Sequence, residues 1–137
     1  KGSTFEQAMA SCHTLSKLDD GSLIGAAVDV IMFEATHWSL RQTNQGNIVT
    51  SPAGKSLQVV RRFDFDHHSM TSSVVVKDPI TSIHTVFVKG SAESVTRCLA
   101  KQNEAVMRAA DEYSRQGCYT LAMGTRTLST SEAVDVM

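Results

Sequence analysis

The chain has 137 residues and a mass of 14.9 kDa, the size of one domain, and its 42% hydrophobic and 20% charged residues exclude wholesale disorder. Thirteen basic against fourteen acidic side chains leave a net charge of -1, which excludes a strongly basic nucleic-acid binder and polybasic membrane docking. No run approaches the roughly 20 apolar residues that cross a bilayer, and the first residues lack the apolar core of a signal peptide.

The first element expected is a helix over residues 4–13. Ser3 and Glu6 fit a capping box, and Phe5, Ala8, Met9 and Cys12 follow helical spacing. Asp19-Asp20-Gly21 marks a tight turn, with a short strand at Leu23-Ile24 after it. Val28, Ile31, Met32, Ala35 and Trp38 mark one face of a helix between Ala26 and Trp38. Asn44, Gly46, Ser51, Pro52 and Gly54 then read as a polar connection.

The period changes in the middle of the chain. Leu57, Val59, Phe63 and Phe65 alternate, with Arg61 interrupting, which puts both phenylalanines on one side of a strand. Val74-Val75-Val76 and Ile83 to Val88 are β-branched runs separated by a hairpin connection at Lys77-Asp78-Pro79. Ser91 caps a helix containing Val95, Cys98 and Leu99, and Asn103 caps another that ends with Gly117 at C′. Glu104–Arg108 and Asp111–Arg115 are i,i+4 pairs on that second helix. A strand from Tyr119 to Thr127 and the start of a helix complete the pattern. The strand run favours an α+β fold, a mainly antiparallel twisted sheet flanked by helices. An opening without Met, and an ending at Val134-Asp135-Val136-Met137 inside a helical pattern, read as a single domain, 1–137, excised from a longer protein.

Few residues announce chemistry. Cys12, Cys98 and Cys118 are an odd number at wide spacings, and they read as reduced, core-packed thiols. Asp66-His67-His68 reads as a polar strand end, because adjacent strand residues point to opposite faces and no HExxH or CxxC supplies further ligands. No P-loop, GxGxxG or GxSxG is present. A nucleotide would therefore be gripped at its base, by a basic strand-end residue, an aromatic platform and a carboxylate. Lys89-Gly90-Ser91-Ala92-Glu93 supplies the first: Lys89 ends an apolar strand, Gly90 permits close backbone approach, and Ser91 opens a helix whose N-terminus favours anions. Phe63 and Phe65 are both open as the aromatic.

Together these segments resemble the nucleotide-binding domain of P-type ATPases. Lys89-Gly90-Ser91-Ala92-Glu93 is similar to the family's KGAPE or KGSPE motif. Gly25 to Asp29 sits at the family's GDPxE-like segment, Phe65 at its adenine-stacking aromatic, and Thr125-Arg126 looks like its phosphate-reaching arginine. The finer match is to the type-five branch, endoplasmic-reticulum subtype, through Ala10 to Leu15, Leu18 to Gly25, Arg61 to Phe65 and Gly117. Ala26 and Ala27 depart from the family's Asp-Pro, Asp29 stands where Glu is common, and Ala92 replaces Pro.

The resemblance implies an adenosine site at Asp29, Phe65, Lys89, Gly90 and Arg126, with ATP and magnesium as cofactors and magnesium held mainly by another domain. The expected dissociation constant is on the order of 0.1–10 mM. The family's DKTGT and TGES motifs are absent from this chain, so ATP is expected to be bound without hydrolysis. Expected partners are the phosphorylation and actuator domains of a parent ATPase, with no nucleic acid, no direct membrane contact and a monomeric state. The expected location is the cytosolic side of the endoplasmic reticulum membrane. The competing expectation is an interaction module whose nucleotide pocket has decayed. As a strand-end residue, Lys89 is expected to tolerate alanine without loss of fold, and Trp38 is expected to be structural.

Overall fold

A computed structural model describes residues 3–101 and 103–136. Ser3 accepts the Glu6 amide at 3.2 Å and so caps α1, Thr4–Ser11. The Glu6 carboxylate does not return to the cap. It accepts the buried Trp38 indole N–H at 2.7 Å, which gives Trp38 its structural role. Ala8 and Ala10 turn inward, whereas Phe5, expected on the same face, is exposed.

The turn at Asp20-Gly21 joins β1, Ser16–Lys17, to β2, Leu23–Ile24, as a short antiparallel ribbon. α2, Ala27–Thr36, is rotated from its expected face: Asp29, Phe33 and Thr36 are buried, while Val28, Ile31 and Ala35 are exposed. Apolar residues lie on nearly every side of this helix, so periodicity could not choose among them. The buried face is the one that packs Phe33 into the core and brings Asp29 to Lys89.

The polar connection expected after α2 holds a hairpin, β3 (Ser39–Thr43) and β4 (Gly46–Thr50), joined through Asn44-Gln45. Only Leu40 and Val49 of these ten residues are buried, too sparse a pattern to read as strands. β5 (Ser56–Asp66), β6 (Thr71–Lys77), β7 (His84–Gly90) and β8 (Ala122–Thr127) complete a six-stranded antiparallel sheet in the order β3-β4-β5-β6-β7-β8. This is the expected α+β fold.

One face of the sheet buries Leu57, Val59, Val74, Val76 and Phe87 against Leu15, Phe33 and the inward residues of α1. The other face receives α3, Ala92–Cys98, capped by Ser91 through the Ser94 amide at 3.2 Å. Gly124 makes that packing close: a Cβ there would lie 3.0 Å from Val88 and 3.4 Å from Val95. α4, Glu104–Arg115, is capped by Asn103 and ends with Gly117 in the left-handed region, φ +83. None of its described side chains is fully buried. The ion pair found on it is Glu112–Arg115 at 3.9 Å, between exposed groups, rather than the two i,i+4 pairs expected.

A complete capping box forms at the last helix, α5 (Thr130–Val136). Ser129 Oγ accepts the Glu132 amide, and Glu132 accepts the Ser129 amide at 2.8 Å. All three cysteines are free, but only Cys12 is buried; Cys98 and Cys118 are exposed, contrary to the core packing expected. No described helix is long and apolar enough to cross a membrane.

Candidate functional site

The site begins with two irregularities in β5. Val60 is an extra residue between the Val59–Val76 and Arg61–Val75 pairs, and the register shifts again between Phe63 and Asp66. Phe63 and Phe65 therefore do not share surroundings as simple alternation predicts. Phe63 pairs with Ser73 and lies against the Arg61 guanidinium, 4.9 Å from its ring centroid. Phe65 turns into a cleft shared with Ser72 and Lys89.

The cleft has a volume of about 580 Å³, within the range of small-molecule sites. It crosses four strands of the sheet. Asp64 and Phe65 come from β5, Ser72 from β6, Lys89 and Gly90 from β7, and Tyr119 and Leu121 from the run into β8. Adjacent strands lie about 4.8 Å apart, so this floor spans about 14 Å. The facing wall is the first turn of α2, with Ala26, Val28 and Asp29, together with His13 and Thr14.

Lys89 is held at both of its protein contacts. Its ammonium donates to Asp29 Oδ1 at 2.5 Å and to the Cys12 carbonyl at 3.0 Å. The side chains are 11% and 9% exposed, so this is a buried ion pair. An ammonium carries three donors, which leaves Lys89 one N–H without a protein acceptor among the described residues. Asp29 Oδ2 likewise takes no protein donor there. The pair, which lines the cleft, thus keeps one donor and one acceptor without a protein partner among the described residues while its charges cancel.

Gly90 is required by space. A Cβ would sit 2.7 Å from the Met70 carbonyl oxygen, and Met70 itself holds φ +57 in the turn between β5 and β6. That turn also explains Asp66-His67-His68. Asp66 Oδ1 accepts the His68 amide at 2.9 Å, which helps hold the Asp66 carboxyl below its usual range, and the His67 ring stands edge-on to Phe65 at 5.1 Å. Among the described residues no group of three or more His, Cys, Asp or Glu side chains could hold a metal ion.

His13 and Cys12 back the ion pair. His13 Nε2 donates to the Ala10 carbonyl at 2.7 Å and Nδ1 accepts the Leu15 amide at 3.1 Å, an arrangement that only a neutral ring satisfies. Burial pushes its pKa down to about 4. The Cys12 thiol is pushed up to about 11 by burial, only partly offset by the Lys89 charge, so it is no nucleophile at neutral pH.

Four of the five residues expected at the site, Asp29, Phe65, Lys89 and Gly90, line this cleft. Arg126 does not. It lies opposite Val86, whereas Lys89 lies opposite Met123, three residues away on β8, so the two cations emerge on opposite faces of the sheet. Its guanidinium is paired with Glu132 of α5. Sequence reasoning missed His13 and Tyr119. Nothing in the chain order distinguishes a lone histidine, and Tyr119 had been read as a strand residue although it precedes β8 and is largely exposed. A second hollow of about 510 Å³, between Phe5, α4 and the run into β8, has no Asp, Glu, Lys or Arg in its lining.

No family model matches the chain. It is 27% identical to the probable manganese-transporting ATPase PDR2 of Arabidopsis thaliana over 133 residues, which are 95% of this chain and 11% of that protein. It is 29% identical to the endoplasmic reticulum transmembrane helix translocase spfA of Aspergillus fumigatus over 134 residues, 88% of this chain and 10% of the relative. With the probable cation-transporting ATPase 13A5 of Mus musculus the figures are 26% over 147 residues, 94% and 12%. The chain thus spans about a tenth of the length of these relatives.

Proposed function

Because this chain is homologous to the type-five P-type ATPases, we propose that it is the nucleotide-binding domain of such a protein and holds the adenosine part of ATP. The observation that carries this reading is the convergence of Asp29, Phe65, Lys89 and Gly90 on one cleft of about 580 Å³. In it the base stacks on Phe65, and the Lys89–Asp29 pair offers one donor and one acceptor to the base edge. Gly90 leaves room for the backbone beneath. The γ-phosphate and its magnesium extend to a phosphorylation domain elsewhere in the parent protein, with an actuator domain as further partner.

The cleft itself binds without hydrolysing. The Cys12 thiol, which lies behind the ion pair and does not line the cleft, is held protonated, and both nitrogens of the lining His13 imidazole are engaged. In this reading residues 1–137 form one monomeric domain on the cytosolic side of a membrane ATPase. Similarity to the endoplasmic reticulum transmembrane helix translocase of Aspergillus fumigatus supports an endoplasmic-reticulum location. A second reading, an interaction module with a decayed nucleotide pocket, is favoured by one observation: the Lys89 ammonium is already paired and almost fully buried.

Phe65→Ala separates the two readings. The ring is half exposed, so its removal leaves the fold intact. Loss of a stacking face is worth about 1–3 kcal/mol, and calorimetric titration should show ATP binding weakened roughly 5- to 100-fold. Phe63→Ala, outside the cleft, should leave affinity unchanged. Equal ATP affinity in wild type and Phe65→Ala would remove the stacking assignment.

A further inference from the structure

We infer that His13 is the positioning residue of the cleft: it holds both elements that supply acceptors to the Lys89 ammonium, and so sets where the remaining N–H of Lys89 points. The consequence for ATP affinity rests on the nucleotide-binding reading, whereas the geometry does not.

His13 lines the cleft but has no polar atom left for a ligand. Its side chain is buried, and both ring nitrogens are spent on backbone, Nε2 on the Ala10 carbonyl at 2.7 Å and Nδ1 on the Leu15 amide at 3.1 Å. What those bonds hold is a stretch without repetitive structure, between the end of α1 at Ser11 and the start of β1 at Ser16. The His13 amide donates to the Ser11 carbonyl at 3.0 Å across Cys12, whose φ -86 and ψ 73 are those of an inverse γ-turn. One such bond adds little net stability. The ring bridges the turn from outside, because its anchors, residues 10 and 15, lie on either side of it. That bridged turn aims the Cys12 carbonyl, which accepts Lys89 at 3.0 Å.

The same ring reaches α2. It stands edge-on to Phe33 at 5.3 Å, and Phe33 follows Asp29 by four residues on one helical face. His13 therefore packs one turn away from the carboxylate that accepts Lys89 at 2.5 Å. The three N–H bonds of an ammonium turn together, so two fixed acceptors leave the third a single direction. The residue type suits the task. It must donate on one side and accept on the other without adding charge beside a buried ion pair, which a neutral imidazole does and a lysine, carboxylate or phenylalanine does not. The charged groups around the ring are Lys89, Asp29 and Arg62, and a protonated ring would release the Leu15 amide and add a third cation.

The test is a proton–nitrogen NMR spectrum of the Lys89 ammonium, with an ATP titration, on the 137-residue chain and its His13→Ala and His13→Gln variants. Wild type should show an ammonium signal slow to exchange with water, because Lys89 is buried and bonded twice. His13→Ala should lose that signal while its amide spectrum stays folded, and should bind ATP about fivefold or more weakly, as expected for coupling within one hydrogen-bond network. His13→Gln, whose amide both donates and accepts, should restore the signal and bring ATP affinity to within about twofold of wild type. A merely supporting ring predicts lower stability in His13→Ala with signal and affinity unchanged, and that result would overturn the inference. So would loss of the signal in both variants alike, since the hydrogen bonds would then not be the means. Should His13→Ala fail to fold, the wild-type ring decides. Its nitrogen shifts must report a neutral ring protonated at Nε2 at neutral pH, and a charged or Nδ1-protonated ring beside an intact Lys89 signal would overturn the inference. Lys89 signals as predicted, with no response to ATP, would remove the nucleotide-binding reading and leave the inference standing.

Discussion

Lys89→Ala destabilises the domain by about 3–5 kcal/mol, the loss typical of breaking a buried ion pair from one side. Read as a strand-end lysine, this residue promised little consequence for folding. The structure instead places its ammonium 2.5 Å from Asp29 and 3.0 Å from the Cys12 carbonyl, with both charged side chains close to nine-tenths buried. Truncation leaves the Asp29 carboxylate without its counter-charge, and the first turn of α2 must either open or take up a proton. Urea denaturation at pH 7 measures the loss, and a value below about 1 kcal/mol would mean the pair is solvated in solution. Replacing both partners by apolar residues of similar volume, Lys89→Met with Asp29→Leu, should recover most of the stability. A weaker nucleotide response in Lys89→Ala alone therefore carries no information about ligand contacts. The double variant does, provided its fold is checked first.

The second large effect is on pH. The fold holds His13 neutral, with a pKa near 4 against an ordinary 6.5, chiefly because the ring is buried. Unfolded chains bind a proton in that interval and the folded chain does not, so stability is complete above about pH 6.5 and falls as the pH drops toward 4. The shift corresponds to about 3 kcal/mol in full, of which about 2–3 kcal/mol should be gone at pH 4.5. Cys12 sets the other limit with the opposite sign. Its raised pKa, about 11 against 9.0, preserves stability below pH 9 and withdraws it as the thiol ionises only in the unfolded chain. Denaturant titrations from pH 4.5 to 10.5 should therefore show a plateau between about 6.5 and 9. His13→Gln, whose amide can repeat both hydrogen bonds, should flatten the acid side. A wild-type profile flat down to pH 5 would show that the folded protein accepts a charged ring.

Much of this fold was legible because its signals are local. Ser3, Ser91 and Asn103 each cap the helix they precede, Gly117 ends α4, and the β-branched runs become β6 and β7. The β3–β4 hairpin was hidden because its strands bury only Leu40 and Val49, leaving no alternation to read. The face of α2 was misread for the opposite reason, an excess of apolar residues. The buried face carries Phe33 into the core and Asp29 to its pair with Lys89, long-range contacts that no local pattern contains.

The candidate site divides the same way. Gly90 was legible as a close approach, and the Met70 carbonyl is what approaches it. Phe65 and Phe63 were indistinguishable until the irregularity in β5 separated them. Arg126 was placed at the site only by its resemblance to the family's phosphate-reaching arginine. Only the register reveals that an offset of three residues puts it and Lys89 on opposite faces. His13 carries no sequence signal at all, since its role depends on backbone groups of Ala10 and Leu15 folding around it.

The most direct test of the nucleotide-binding account is an amide-resolved NMR titration of the chain with ATP. The account predicts shifts clustered at Asp29, Asp64, Phe65, Ser72, Lys89 and Gly90, extending to Tyr119, with Arg126 and the opposite face of the sheet unmoved. Shifts centred on Arg126 and α5, or no shifts with several millimolar ATP and an intact spectrum, would contradict it.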